Sequence, residues 1–219
     1  MFADLHASLM AGRRSGDADG DFDAHVLACL LASALDEVEA GQASLASATG
    51  LDGAAVAALI DAHFPHAHVR LRIRGHDRAP QPEIEEEMLR DLLIGHVGEG
   101  DEVGRALAVM IARRAMRPDH LWQDLGLIDR SELNRLLTRH FPALAAGNTG
   151  NMRWKKYFYR KLCEAEGFSL CTAPSCASCV DFASCFGAED GESRMALARR
   201  AADRASATEH GAGPLAISS

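Results

Sequence analysis

The apolar residues between Phe22 and Ala40 constrain the fold more than anything else in the chain. Val26, Leu27, Leu30, Leu31, Leu35 and Val38 return at helical spacing. β-branched runs are nearly absent, Ala is abundant and aromatics make up only 5% of the 219 residues, a mix that favours helices over strands. The spacing predicts further helices over Gly53–His63, stopped by Phe64-Pro65, and from the acidic run Glu83, Glu85, Glu86, Glu87 towards Gly95. Another is predicted from Glu102 to Met116, ahead of Pro118.

An internal echo organises these elements. "LASATGLDGAAVAALIDAHFP" (45–65) aligns with "LWQDLGLIDRSELNRLLTRHFP" (121–142) with one inserted residue. Leu45, Gly50, Leu51, Ile60, His63, Phe64 and Pro65 match Leu121, Gly126, Leu127, Leu137, His140, Phe141 and Pro142. In the second copy Asp129 and Glu132 have the spacing of a capping box. Two stacked helix-turn-helix hairpins in one helical domain account for the echo. A DNA-reading helix-turn-helix fits it poorly, because "DGAAVAALIDAHF" offers no Lys or Arg to phosphates or guanine edges.

Residues 12–23, "GRRSGDADGDFD", read as a mobile entry segment. Asp17, Asp19 and Asp21 resemble the start of a calcium loop, but Gly20 stands too early and Ala28 replaces the closing Glu. The formal charge of −8 argues against a general nucleic-acid or anionic-membrane binder. The opening "MFADLHASLMAGRRSGD" lacks the apolar run of a signal peptide, and no 18-residue apolar stretch occurs, so a cytoplasmic location is expected. Thiols stay reduced there, and clustered cysteines point to metal or redox chemistry.

Four of the six cysteines fall within "CTAPSCASCVDFASCFG", spaced Cys171-x4-Cys176-x2-Cys179-x5-Cys185. The x2 pair lets one tight turn aim two sulfurs at a centre. Zinc commonly takes two C-x2-C knuckles from separated turns. A single loop with one x2 interval favours an iron–sulfur cluster over zinc, with a zinc-pinned interaction module as the competing reading. Endonuclease III-like DNA glycosylases also carry a cluster loop after helices, but their first interval is longer, and neither their glycine-rich hairpin nor their catalytic Asp has a clear counterpart here. Cys163 and Cys29 read as small buried hydrophobes.

Upstream of the loop, "NMRWKKYFYRKLCEAEGF" places Arg153, Lys155, Lys156, Arg160 and Lys161 within nine positions without an acid among them. Two readings stand side by side. These residues attract an anion, offset an anionic cluster or dock an acidic partner; or they are the solvated face of a helix whose Trp154 and Phe158 pack inward. His63 and His140 suit helix ends. His66, His68 and His76 form a loose cluster, and His120 adjoins Leu121 and Trp122.

The run "MRWKKYFYRKLCEAEGFSLCTAPSCASCVDFASCFGAED", with "RPDHLWQDLGL" and "LTRHFPALAAGN" upstream, resembles the NifQ family of nitrogen-fixation accessory proteins, most closely over 117–190. The family shares the C-x4-C-x2-C-x5-C spacing behind a WKK-aromatic-aromatic-Tyr-Arg stretch. The resemblance implies an iron–sulfur cluster, of 4Fe–4S or 3Fe–4S type, that also holds molybdenum and has Cys171, Cys176, Cys179 and Cys185 as ligands. It further implies delivery of molybdenum to the proteins that assemble the nitrogenase iron–molybdenum cofactor. Molybdate or another molybdenum source would load it, and neither nucleic acid nor membrane is an expected partner. No nucleophile triad, acid/base pair or phosphate loop is evident, so a carrier is expected rather than an enzyme.

The expected architecture is all-α, with roughly six to seven helices and a C-terminal cysteine-rich cluster loop. Residues 1–21 form a mobile N-terminal segment, 22–166 the helical domain, 167–190 the cluster loop and 191–219 a tail.

Overall fold

The computed structural model describes residues 2–14, 16–67 and 77–165. Among these residues the fold is all helical, without strands. The helices are α1 (Phe2–Ala11), α2 (Ala18–Glu39), α3 (Leu45–Thr49), α4 (Gly53–His63), α5 (Ile84–Ile94), α6 (Glu102–Ala115), α7 (Leu121–Asp124), α8 (Arg130–His140), α9 (Pro142–Ala146) and α10 (Trp154–Ala165). Seven of them have at least ten residues, against an expected six to seven that do not include α1; α3, α7 and α9 are single-turn additions of four or five residues. The predicted ends of α4, α5 and α6 hold to within a residue or so, because Pro, Gly and acidic first turns punctuate them.

The core is built around α2. Every residue from Val26 to Leu35 is buried, so this helix is enclosed on all sides. Ala24, Ala28, Ala32 and Ala34 leave room for neighbours, and α1, α3 and α6 pack directly against it. Asp17 starts α2 by accepting a hydrogen bond from the Gly20 N–H at 2.8 Å. The other two acids of that run are also structural. Asp21 pairs with Arg13 at 2.9 Å, and Asp19 with Arg139 at 3.0 Å.

The N-terminal segment departs from expectation. Residues 2–11 form α1, which buries Phe2 and Leu9 against the core instead of remaining mobile. Behind it the chain is stitched to the end of α4, where the Arg14 N–H donates to the His63 carbonyl at 2.8 Å and the His66 N–H to the Gly12 carbonyl at 3.0 Å. The Gly/Asp/Arg composition of 12–23 concealed these backbone bonds, which do not depend on side-chain identity.

A charge network joins α2, α6 and α8. His140, 1% exposed, lies with Nδ1 2.7 Å from Asp101 and Nε2 3.1 Å from Asp23. Arg139 grips the same Asp23 through Nε at 2.7 Å and NH2 at 2.8 Å. Burial alone would lower the His140 pKa; the two carboxylates reverse this and hold it above its ordinary value. Against the cost of its own burial, Asp23 is pulled down to about 2 by His140 and Arg139.

Candidate functional site

Cys171, Cys176, Cys179 and Cys185 lie outside the described residues, as do His68, His76 and the 167–190 and 191–219 regions. The approach to the cysteines is described as far as Ala165, the last residue of α10. This helix therefore carries the part of the candidate site that geometry can address.

α10 is anchored through its first half. Trp154, Lys155, Tyr157 and Phe158 are all buried. The Trp154 indole N–H donates to Asn134 at 2.6 Å, and the Tyr157 hydroxyl to the Leu144 carbonyl at 3.0 Å, so both aromatic residues bring a satisfied polar atom into the core. The Trp154 ring meets Tyr157 edge-on, with centroids 5.8 Å apart, and Phe158 at 5.9 Å. This is the inward Trp154 and Phe158 face that the sequence suggests.

The five basic residues weighed for anion or partner binding do not form one patch. Lys155 is 4% exposed, and its ammonium sits 2.6 Å from the Asp124 carboxylate. It also donates to the carbonyls of Arg117 at 2.5 Å and Asp119 at 2.6 Å. Its charge is committed to the interior, which removes it from any solvent-facing anion site. The physical reason is its place three residues before Phe158, on the margin of the apolar face. Arg160 is exposed and bonded to Glu164 at 2.9 Å, a partner it shares with Lys161 at 2.8 Å. Arg153 is half-buried beside His120, Trp122 and Arg130, while Lys156 faces solvent. Burial pushes the Asp124 carboxyl up to about 6, with Lys155 pulling the other way.

Beside Lys155 lies a pocket of about 260 Å³ lined by Glu37, Arg114, Arg117, Asp119, Gln123 and Asp124. Its two guanidinium groups are both taken by Glu37, from Arg114 at 2.5 Å and Arg117 at 2.6 Å. Burial lowers the Arg114 pKa from its ordinary value, and Glu37 opposes that. The pocket is thus close to charge-balanced and is no ready-made anion receptor.

Cys29 is fully buried, as expected of a core residue, but its sulfur lies beside His25 on the next turn of α2. His25 and His6 escaped the sequence reading. The readable signal was His25-x3-Cys29, which puts both side chains on one face of a helix. Cys163 is half-buried. His66 is exposed, and the other two histidines of that group, His68 and His76, lie outside the described residues. His120 is buried at the start of α7, where its backbone N–H donates to Gln123 Oε1 at 3.1 Å.

No helix among the described residues is long and apolar enough to cross a membrane. No solved structure matches the chain. Sequence comparisons are informative. A protein of Sinorhizobium fredii (strain NBRC 101917 / NGR234) described as "Protein NifQ homolog" is 53% identical over 177 residues, covering 81% of this chain and 77% of its own. "Protein NifQ" of Rhodobacter capsulatus is 41% identical over 165 residues, covering 74% of this chain and 89% of its own. "Protein NifQ" of Azotobacter vinelandii is 41% identical over 152 residues, covering 64% and 77%. A family profile described as NifQ matches residues 26–187, a span that takes in the helical domain from α2 onward and all four clustered cysteines. The chain therefore belongs to the NifQ family, with a role in nitrogen fixation.

Proposed function

We propose that this protein is a cytoplasmic metallocluster carrier that holds molybdenum together with iron and sulfide and donates it for assembly of the nitrogenase iron–molybdenum cofactor. The observation carrying this reading is the Cys171-x4-Cys176-x2-Cys179-x5-Cys185 spacing inside the span of the family match. Thiolates and sulfides are soft donors suited to iron–sulfur clusters and to reduced molybdenum. The four cysteines supply an all-thiolate donor set, and a cluster of the 4Fe–4S or 3Fe–4S type is the cargo that fits it. Molybdate or another molybdenum source is the input, and cofactor-assembly proteins of the nitrogenase system are the acceptors. The protein's part is to bind, protect and hand over, which calls for no turnover chemistry of its own.

Lys156 and Arg160, on the solvent side of α10, are the residues best placed to steer an anion or an acidic partner towards the loop. Lys155 has a different task, fixing the start of α10 to the body through Asp124.

Anaerobic purification with iron, sulfide and molybdenum analysis and EPR tests the reading. The expected result is iron and sulfide in stoichiometric amounts, molybdenum after loading, and loss of all three in Cys179→Ser with helicity intact. Stoichiometric zinc without iron or sulfide would overturn it.

A further inference from the structure

We infer that α1 and α2 form a second metal site, independent of the four C-terminal cysteines, in which His6, His25 and Cys29 bind one divalent late first-row transition ion. The three donor atoms all lie within 4.8 Å of one another. His6 Nε2 is 3.1 Å from His25 Nδ1, and Cys29 Sγ is 4.0 Å from Nδ1 and 3.7 Å from Nε2 of the same ring. In a tetrahedral zinc-type centre, bond lengths of about 2.0–2.3 Å put ligand atoms about 3.3–3.6 Å apart. His6 and His25 already stand near that spacing, and the remaining separations, all within 4.8 Å, close to it by side-chain rotation of up to about 1 Å.

The surroundings prepare these ligands. His25 Nε2 faces Glu132 Oε1 at 3.3 Å, and the other carboxylate oxygen, Oε2, is fixed by the Ile128 N–H at 2.8 Å. A carboxylate accepting from one imidazole nitrogen turns the other into the donor, the arrangement found behind most metal-bound histidines. With Nε2 donating to Glu132, Nδ1 is the nitrogen left to bind the ion, and it is the one that faces His6 at 3.1 Å. Phe2 stacks on His6 with rings 16° from parallel, and Phe22 tilts against His25. Cys29 is buried, whereas His6 and His25 are half-buried, so an ion arrives from the histidine side and keeps a position open to water or to a further ligand. Two imidazoles and a thiolate suit Zn²⁺ and Co²⁺, and suit neither an oxyanion nor Ca²⁺ or Mg²⁺. Binding releases the Cys29 thiol proton to solvent.

The test uses the full chain carrying Cys171→Ser, Cys176→Ser, Cys179→Ser and Cys185→Ser, titrated anaerobically with Co²⁺. The site predicts one equivalent bound with a thiolate-to-cobalt charge-transfer band, displaced by Zn²⁺. Adding His6→Gln should remove the band or weaken binding at least about 10-fold, and adding Glu132→Gln should weaken it about 10- to 100-fold while keeping the band. Cys29→Ala should abolish the band. Because that change falls in the core, His6→Gln, checked for unchanged helicity by circular dichroism, decides the matter if Cys29→Ala unfolds. No band in a helical four-serine protein, or a band indifferent to His6→Gln, would overturn the inference. Iron and molybdenum content of the parent chain is read separately, so failure of the carrier reading leaves this result distinct.

Discussion

The two echoed segments share a backbone and differ in what they do with it. Both turn on a left-handed glycine, Gly50 at φ +75° and Gly126 at φ +74°, and both end on a phenylalanine, Phe64 at φ −129° and Phe141 at φ −131°. Each phenylalanine N–H closes its helix, to the Ile60 carbonyl at 2.7 Å and the Leu137 carbonyl at 3.0 Å, and each ring is buried. Burial of such a ring contributes roughly 1.5–3 kcal/mol, enough to retain the Phe-Pro ending in both copies. Around this frame the side chains diverge. Of the residues in α4 only Gly53 and Val56 are buried, whereas α8 buries Leu133, Leu136, Leu137 and His140. Where α3 has Ala48, α7 has Asp124 and its ion pair to Lys155. One copy is a lightly packed outer hairpin and the other a hub for charges, so a common backbone does not imply a common load.

The largest expected effect comes from emptying the hub. Lys155→Ala strands the Asp124 carboxylate in the interior and should cost roughly 3–5 kcal/mol in denaturant unfolding, whereas Lys156→Ala should stay within about 0.5 kcal/mol. The Lys155→Ala penalty should shrink below about pH 6, where Asp124 is already neutral in the parent protein. If Asp124→Ala with Lys155→Met, which imitates the first copy's Ala48, is no better than Lys155→Ala, the hub is not an ion-pair device.

Next comes the matched pair of histidines. His140→Gln removes the bridge between Asp23 and Asp101 and should cost about 3 kcal/mol near pH 6. His140 is held above its ordinary 6.5, so its stabilisation is complete below that value and is lost as pH rises through its folded pKa. His63 is lowered from 6.5, by burial first and by Arg14 second, against an upward pull from Asp23. It therefore contributes above 6.5, and that contribution is lost as pH falls through its folded pKa. Stability measured against pH should show opposite slope changes in His140→Gln and His63→Gln. Slopes of the same sign would remove the electrostatic distinction between the copies.

The two left-handed glycines differ in the room around them. A Cβ at Gly126 would lie 2.7 Å from Ser33 Oγ and 3.3 Å from the Cys29 carbonyl, while at Gly50 the nearest atoms are Arg113 Cβ at 3.2 Å and Val109 Cγ1 at 3.3 Å. Left-handed backbone costs an L-residue about 1–2 kcal/mol by itself. Gly50→Ala should show about that much and Gly126→Ala about 2–3 kcal/mol, measured by chemical denaturation. The smallest effect belongs to the cap of α8. Asp129 accepts from the Ser131 and Glu132 N–H groups at 2.8 and 3.1 Å, and Asp129→Ala should cost about 1 kcal/mol.

Much of this was legible in the chain because it is written in local rules. The echo, the ends of α4, α5 and α6, and Asp129 as a cap follow from Gly, Pro, acids and spacing. The capping box is only half formed. Glu132 reaches the Ile128 N–H rather than completing a bond at Asp129, because its other oxygen is drawn to His25 on α2. Long-range competition of that kind has no local signal. The same holds for Lys155, whose inward course depends on carbonyls and a carboxylate near residues 117–124, and for α2, whose complete enclosure depends on neighbours that its own periodicity does not name. For the cluster loop the asymmetry is reversed. Cys171 to Cys185 announce themselves by spacing alone, while all four lie outside the described residues.

The uneven anchoring of α10 carries a kinetic consequence. Its first half is locked by Trp154, Lys155, Tyr157 and Phe158, whereas its last turn has partly buried Leu162 against the core and surface pairs from Arg160 and Lys161 to Glu164. Exposed pairs of this type contribute little, so the last turn should open without the rest of the protein unfolding. Amide exchange along this single helix should therefore grade from globally protected near Phe158 to fast near Ala165. The body then stays closed while the last turn of α10 opens on its own timescale.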